Sequence, residues 1–342
     1  MQSRMFYAEK YLPKNIELFL VIPKGSNEYK LNRTKIIETE KINNPKFLYF
    51  LRKFCRKNKI DLLINLGNPR QGLGMFLVTL GTETKYIFYL ISDIWNGPRV
   101  RKKLKDKLKF FIEENLSLFP SLIFAKKIVF LAEDLKEKAQ KYLFFIKNKI
   151  KSSHLIIDEK EFYPKNKILA RKKLKLPLNA DIIFFVGRIE FLKGSDIIHG
   201  LAKKFSEKKF VLIGKIADKI YQKEKLDNII HRESCSDEEL IDYYNAADLC
   251  LFPSRIEGYG LVPRESMLCQ TPVLVSDIDS LRLLNPALKS KLDLTSFQKQ
   301  IILFFKMPEK KRQELGKLSR KYIIKENSYN SLKKSMKELL LN

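Results

Sequence analysis

Two cations follow an apolar run in the second half of the chain. Residues 184–194 read FFVGRIEFLKG, so Arg188 and Lys193 come shortly after Gly187, where the run ends. If the run is a buried strand, glycine allows a sharp turn there and a close approach of a ligand to the backbone. Paired cations suit a diphosphate, because they neutralise the charge that grows on a departing nucleoside diphosphate. Taken alone, they are also compatible with ordinary surface charges.

A second stretch, residues 251–275, reads LFPSRIEGYGLVPRESMLCQTPVLV. It predicts a strand, a loop at Glu257-Gly258-Tyr259-Gly260 and a helix that opens near Pro263, since proline is well placed in a first helical turn. The free N–H groups of such a helix form an anion site. Glu265, expected in the first turn, and Glu257 could then accept hydrogen bonds from a ribose and a sugar. A single first-turn glutamate is also compatible with a simple helix cap.

Together the two stretches resemble the glycosyltransferases of GT-B architecture, in particular family 4 of the sequence classification. That family carries VGR…KG, then PS…EGFG…E, then a PVV strand. Residues 236–248 resemble its SDEEL…AAD segment, and residues 154–164, HLIIDEKEFYP, resemble its interdomain stretch. Residues 326–339 resemble its last helix. The resemblance therefore extends from about residue 150 to the end of the chain.

The resemblance implies a role for each motif residue. Arg188 and Lys193 would bind the donor diphosphate, Glu257 would hold hydroxyls of the donor sugar, and Glu265 would bind the ribose. The implied donor-binding set is Gly187, Arg188, Lys193, Glu257, Gly258, Tyr259, Gly260, Leu261 and Glu265. The family's reaction retains the anomeric configuration and needs neither a metal nor a cofactor beyond the nucleoside-diphosphate sugar, which is a substrate. The expected acceptor is lipid-linked or a saccharide, in cell-surface glycan synthesis.

The first half of the chain departs from the family pattern. Members usually begin with a strand and a glycine-rich loop, whereas this sequence opens on a helix-like segment followed by what resembles the second strand. An HD or HE pair often follows a later strand, and here that pair is Ser92-Asp93. Asp93 is thus a substitute candidate for a catalytic imidazole. These departures leave the rate and the acceptor open.

Short apolar runs recur along the whole chain, with helical segments between them. They are Ile16–Ile22, Leu62–Leu66, Tyr86–Ile91, Ile128–Leu131, Leu155–Ile157, Ile182–Val186, Phe210–Ile213, Leu249–Phe252 and Val273–Val275. Runs that are apolar throughout, rather than alternating, predict strands of a parallel sheet covered on both faces. The pattern predicts an α/β protein with two Rossmann-like domains, 1–160 and 161–325. A helix at 326–342 is expected to cross back to the first domain.

The formal net charge of +27 over 342 residues predicts attraction to a polyanion. Nucleic acid is disfavoured, because no basic motif is interleaved with aromatic residues. Residues 99–109, RVRKKLKDKLK, carry seven cations and one aspartate, with apolar residues on one helical stripe. Such a helix could lie on an anionic membrane or pack its stripe inward. No apolar run is long enough to span a bilayer, and no signal peptide is apparent.

The cysteines and histidines indicate no metal site. Four scattered cysteines without a CxxC pair, and three histidines without ligand spacing, argue against disulfides and zinc. We therefore expect a cytoplasmic protein, peripheral to the inner face of the membrane. Two rival functions stay open: a sugar-nucleotide epimerase of the same fold, and a degenerate, non-catalytic member that binds a partner through its basic charge.

Overall fold

A computed structural model of the chain describes residues 14–24, 31–39, 45–66, 69–90, 105, 108, 119–153 and 157–326. Asp93, most of residues 99–109 and the expected crossover helix after Glu326 lie outside these residues. The chain separates into two compact units, and the second begins at Ile157.

The first unit contains a four-stranded parallel sheet in the order β3-β4-β5-β6, and a separate parallel pair, β1-β2. Its elements are β1 (Leu18–Pro23), β2 (Thr34–Thr39), α1 (Pro45–Lys57), β3 (Leu62–Leu66), α2 (Pro69–Thr79), β4 (Lys85–Leu90), β5 (Lys127–Phe130), α3 (Glu133–Tyr142) and β6 (Ile150–Ser152), with a helical segment at 119–124 and a 3₁₀ helix at Phe144–Lys149. Every residue of β5 is buried. Burial on both faces is what a parallel sheet covered by helices requires.

The second unit is built on a six-stranded parallel sheet in the order β12-β11-β10-β7-β8-β9. Its elements are α4 (Lys167–Lys173), β7 (Ile182–Val186), α5 (Ser195–Lys204), β8 (Lys209–Ile213), α6 (Ile220–Lys223), β9 (Ile229–Arg232), α7 (Asp237–Ala246), β10 (Leu249–Phe252), α8 (Leu261–Leu268), β11 (Val273–Ser276), β12 (Leu288–Ser290), α9 (Leu294–Lys306) and α10 (Glu309–Glu326), with 3₁₀ helices at Phe191–Lys193 and Asp279–Leu281. Phe184 of β7 stacks on Tyr243 of α7, with ring centroids 5.7 Å apart.

The strand order places a topological switch point between β7 and β10. The chain runs outward from β7 through β8 to β9, then returns to β10 and continues outward on the other side. Phe184 and Cys250 are register partners in the central pair. In such sheets a crevice forms beyond the carboxyl ends of the two strands at the switch point, and ligands bind there. The residues after Val186 and after Phe252 therefore line the expected binding edge.

The α/β architecture with parallel sheets confirms the fold class predicted from the sequence, and Ile182–Val186 and Leu249–Phe252 are strands with the predicted bounds. Four strands were not predicted: β2, β6, β9 and β12. These strands contain charged or polar residues beside apolar ones, and β6, β9 and β12 are edges of their sheets, where one side needs no partner. Of the strand expected at Leu155–Ile157, the first two residues lie outside the described part of the chain, and Ile157 is not in a strand. The edge strand β6 lies at Ile150–Ser152.

Candidate functional site

The loop after β7 lies tightly against the end of β10. The N–H of Gly187 donates to the carbonyl of Ile213 at 2.9 Å, so the chain stays in the sheet for one more residue before it turns. Gly194 follows the 3₁₀ helix at Phe191–Lys193 with a φ of +75°. A Cβ at Gly194 would lie 2.2 Å from the carbonyl oxygen of Pro253. Only glycine fits there. Because it has no side chain, the loop after β7 and the loop after β10 can come into contact at this point.

Lys193 and Glu257 form an ion pair across this switch point. The Nζ atom of Lys193 donates to Oε1 of Glu257, and both side chains are partly buried. The same ammonium group lies 5.8 Å from the ring centroid of Phe252. The cation after β7 and the carboxylate after β10 were predicted separately from the sequence. The structure brings them together at the crevice edge.

Arg255 ties the same two loops together. Its guanidinium forms two parallel bonds to the carboxylate of Asp196 at 2.7 and 2.8 Å, and stacks 3.7 Å from the ring centroid of Phe191. Its backbone N–H donates to the carbonyl of Leu192 at 2.9 Å. Two-bond arginine–carboxylate pairs fix orientation as well as distance. Sequence reasoning missed both Arg255 and Asp196, and only their positions beside the two motifs could have indicated them.

Arg188 does not join this cluster. Its side chain is 70% exposed and pairs with Glu190 at 2.8 Å within its own loop. The exposed guanidinium lies beside the binding edge, whereas the Glu190 carboxylate is only 19% exposed. A ligand that recruited Arg188 would therefore leave Glu190 without its cation.

The helix after the glycine loop begins earlier than expected. Gly260, with a φ of +72°, is the residue before α8, and the helix runs from Leu261. Glu265 is its fifth residue, so the expectation of a first-turn glutamate is wrong, and the first turn holds no acidic residue. The left-handed glycine starts the helix two residues before Pro263. The helix N-terminus thus carries no acidic side chain of its own, which leaves its backbone N–H groups to an external anion.

Glu265 occupies a protected position beside α7. The hydroxyl of Tyr244 donates to its Oε2 atom at 2.7 Å, and Tyr244 itself is fully buried. Burial raises the pKa of Glu265 to about 7, against the opposing effect of the Tyr244 bond. Helix α7 is held in place by a capping box, in which Ser236 and Glu239 bond each other's backbone N–H. The SDEEL segment thus orients the partner of Glu265.

Arg264 supports the glycine loop at residues 257–260. The Arg264 guanidinium stacks 3.7 Å from the ring centroid of Tyr259 and donates to the carbonyls of Tyr259 and Gly260, while Glu326 pairs with it at 3.4 Å. The side chain of Tyr259 is 3% exposed. It is therefore part of the support of the loop, in which Gly258 and Gly260 are buried as well. Arg264 was another residue that the sequence did not single out.

The described residues contain neither a cluster of metal ligands nor a helix that could span a membrane. No group of three or more His, Cys, Asp or Glu side chains is arranged there to hold a metal ion. None of the helices described is both long and apolar enough to cross a bilayer.

The fold is shared with solved glycosyltransferases. Sucrose-phosphate synthase of Thermosynechococcus elongatus superposes with a TM-score of 0.78 at 19% identity, over 94% of this chain and 88% of that one. HepE of Anabaena, in complex with UDP and glucose, superposes with a TM-score of 0.71 at 13% identity, over 90% and 86% of the two chains. The architecture is that of the GT-B glycosyltransferases.

The match to a protein family lies in the second unit. Residues 166–322 match the family described as glycosyl transferases group 1. A D-inositol 3-phosphate glycosyltransferase of Xylanimonas cellulosilytica is 31% identical over 123 residues, which is 33% of this chain and 30% of that protein. The corresponding protein of Mycolicibacterium smegmatis is 31% identical over 149 residues, 40% and 34% of the two chains. The chain thus matches about a third of the length of these relatives.

Proposed function

We propose that the protein is a retaining, metal-independent glycosyltransferase. It would move a sugar from a nucleoside-diphosphate sugar to a lipid-linked or saccharide acceptor in cell-surface glycan synthesis. The observation that carries the proposal is the Lys193–Glu257 pair, which stands at the switch point where such sheets bind ligands. The pair combines a cation for a phosphate with an acceptor for sugar hydroxyls.

The chemistry at this edge concerns charge. In the transfer, the bond from the anomeric carbon to the phosphate oxygen breaks, and the departing diphosphate keeps the electron pair. The acceptor oxygen bonds to the anomeric carbon, and its proton passes to an oxygen of the departing diphosphate. Lys193, Arg188 and the N-terminal N–H groups of α8 are the groups that would stabilise the charge on the diphosphate. These groups supply positive charge without a metal ion.

Glu257 and Glu265 would bind different parts of the donor, the sugar and the ribose. Glu257, fixed by Lys193 and by the Arg255 contacts beside it, would accept hydrogen bonds from hydroxyls of the donor sugar. Among the described side chains, only that of Tyr244 is hydrogen-bonded to Glu265, and the bond uses one oxygen. The second oxygen would accept from the ribose. Asp93 is proposed as the substitute for the imidazole that the family pattern would place after β4.

The membrane partner belongs to the same proposal. A lipid-linked acceptor requires access to a bilayer surface, and the basic segment at 99–109 is one means of holding the protein on anionic lipid. HepE of Anabaena has been solved with UDP-glucose, which supports a uridine nucleotide among the donors to test.

The test is titration calorimetry of the full chain with UDP and GDP in the presence of EDTA. We expect one of the two to bind with a Kd in the micromolar to millimolar range. Lys193→Met should weaken that binding about tenfold or more, since a charge-assisted phosphate contact is lost. Lys203→Met, which removes an exposed lysine paired with Glu224, is the matched control. Binding of neither nucleotide, or binding only with Mg²⁺, would refute the proposal.

A further inference from the structure

The first unit exposes an unusual set of apolar side chains. On the 3₁₀ helix after α3, Phe144 is 71% and Phe145 is 54% exposed, and their rings contact each other edge to face at 5.8 Å. Leu143, the residue before them, is buried and anchors the turn in the core. The turn therefore holds two phenylalanines out from the surface.

A second exposed set adjoins the first. The Nζ atom of Lys149, at the end of the 3₁₀ helix, donates to the carbonyl of Ile123 at 2.7 Å. This bond joins the turn to the helical segment at 119–124. The exposed large apolar residues of the two segments are Phe119, Ile123, Phe124, Tyr142, Phe144 and Phe145. We name these six residues the aromatic patch. Exposed apolar side chains gathered on neighbouring segments favour an interaction site.

The chain segment that contains the 3₁₀ helix is rich in lysine. From Lys138 to Ile157 the chain contains five lysines and neither aspartate nor glutamate. Lys141, Lys147 and Lys151 are exposed. Lysine can keep its ammonium group in water while its stem lies along apolar surface, so phenylalanines flanked by lysines match the layered polarity of an anionic bilayer.

We propose that the aromatic patch is a docking surface for an anionic lipid bilayer. The phenylalanines enter the boundary between headgroups and acyl chains, and the lysines bind lipid phosphates. The proposal goes beyond the transfer reaction, because the patch belongs to the first unit and shares no residue with the proposed nucleotide site of the second unit or with residues 99–109. Both segments lead directly into the starts of strands, β5 and β6, so the patch lies at the amino-terminal edge of its sheet. A bilayer bound there leaves the carboxyl-terminal edge uncovered.

The test is flotation of the full chain with vesicles of phosphatidylcholine alone and with phosphatidylglycerol added. The wild-type protein should float with the anionic vesicles, less at high salt. The variant with Phe144→Ser and Phe145→Ser should lose most of this binding. Lys141→Gln combined with Lys147→Gln should weaken it about tenfold or more. Tyr49→Ser removes an aromatic residue that is 72% exposed on α1 and is the matched control.

Thermal unfolding, nucleotide titration and sedimentation accompany the flotation assay. Unchanged thermal unfolding shows that a variant is folded, since no core side chain is altered. Titration with UDP or GDP should give the same result for each variant as for the wild type. Nucleotide binding and lipid binding are thus measured independently, so the proposed function can fail while the docking surface is confirmed. Wild-type flotation of the double phenylalanine variant would overturn the proposal, as would loss of flotation only when the lysines and arginines of 99–109 are reversed. A change from dimer to monomer in sedimentation, without any lipid binding, would assign the patch to a second copy instead.

Discussion

Lys193 and Glu257 form an ion pair across the switch point although 64 residues separate them in the chain. The lysine is proposed to bind a phosphate of the donor, and the carboxylate is proposed to bind its sugar. Because the two groups neutralise each other, a diphosphate must compete with Glu257 for the ammonium group. Glu257 therefore competes with the donor diphosphate for the same cation.

Glu257→Gln should thus tighten the binding of a free nucleoside diphosphate while lowering turnover. Release of Lys193 is worth about 1 kcal/mol, or about fivefold in Kd. Titration calorimetry measures the first effect and a donor-consumption assay the second. Glu238→Gln, which breaks an exposed pair with Lys173 elsewhere, should change neither. Equal or weaker nucleotide binding by Glu257→Gln would show that the pair does not oppose the ligand.

Arg255 should act as a positioning residue. Arg255→Met removes the bonds to Asp196 and the stacking on Phe191, so the loops that carry Lys193 and Glu257 lose their common support. We expect kcat/KM to fall about tenfold or more, since small displacements of positioned groups are costly. Steady-state kinetics on the donor measure the effect.

Exchanging the charges of Arg255 and Asp196 tests whether Arg255 positions the two loops or only stabilises the fold. The double variant Arg255→Asp with Asp196→Arg should recover part of the lost kcat/KM, and Arg282→Met, which breaks an exposed pair with Asp279, should lose none. If Arg255→Met lowered the melting temperature and left the kinetic parameters of the folded protein unchanged, its role would be structural only.

The raised pKa of Glu265 predicts a pH dependence of stability. The carboxyl has a pKa of 4.5 when unperturbed and about 7 in the fold, so the folded state favours its protonated form. That contribution is complete below pH 4.5 and is lost as the pH rises through 7, by up to about 3 kcal/mol. Glu265→Gln cannot ionise, so its stability relative to wild type should increase between pH 5 and pH 8.5. Urea unfolding at the two pH values measures this.

The same group should make nucleotide binding depend on pH in the opposite sense. The ionised carboxylate accepts ribose hydroxyls better than the protonated one, so affinity should rise more steeply from pH 6 to pH 8 in the wild type than in Glu265→Gln, where the terminal phosphate of the ligand still ionises. A 2′,3′-dideoxy nucleotide serves as the ligand control, because it lacks the hydroxyls. The same pH slope in the variant would assign the titration to another group.

Gly194 should tolerate no side chain. In Gly194→Ala the new Cβ would meet the Pro253 carbonyl at 2.2 Å, and the residue would keep a φ that alanine disfavours. We expect a loss of about 2 kcal/mol or more in unfolding free energy, with weaker nucleotide binding. Gly200→Ala in α5 is the matched control, because its Cβ meets only the side chain of Leu294, at 3.0 Å. A stable, fully binding Gly194→Ala would show that the loops do not need this contact.

Much of the second unit was predictable from local pattern. The runs Ile182–Val186 and Leu249–Phe252 are apolar throughout, which indicates buried parallel strands, and polar residues of functional type follow both. The carboxyl ends of adjacent parallel strands meet at one edge, so the motif residues were expected together. The short edge strands escaped prediction, because polar residues in them disguise the apolar pattern.

The sequence by itself determined which residues are candidates for the chemistry: motif and spacing single out Arg188, Lys193, Glu257 and Glu265. Only the tertiary structure decided their partners. The Lys193–Glu257 and Arg255–Asp196 pairs, and the bond from Tyr244 to Glu265, join elements whose neighbours depend on strand order. The protonation of Glu265 depends likewise on how much protein surrounds it. Strand order and burial arise from contacts between distant parts of the chain, and no local window of sequence contains them.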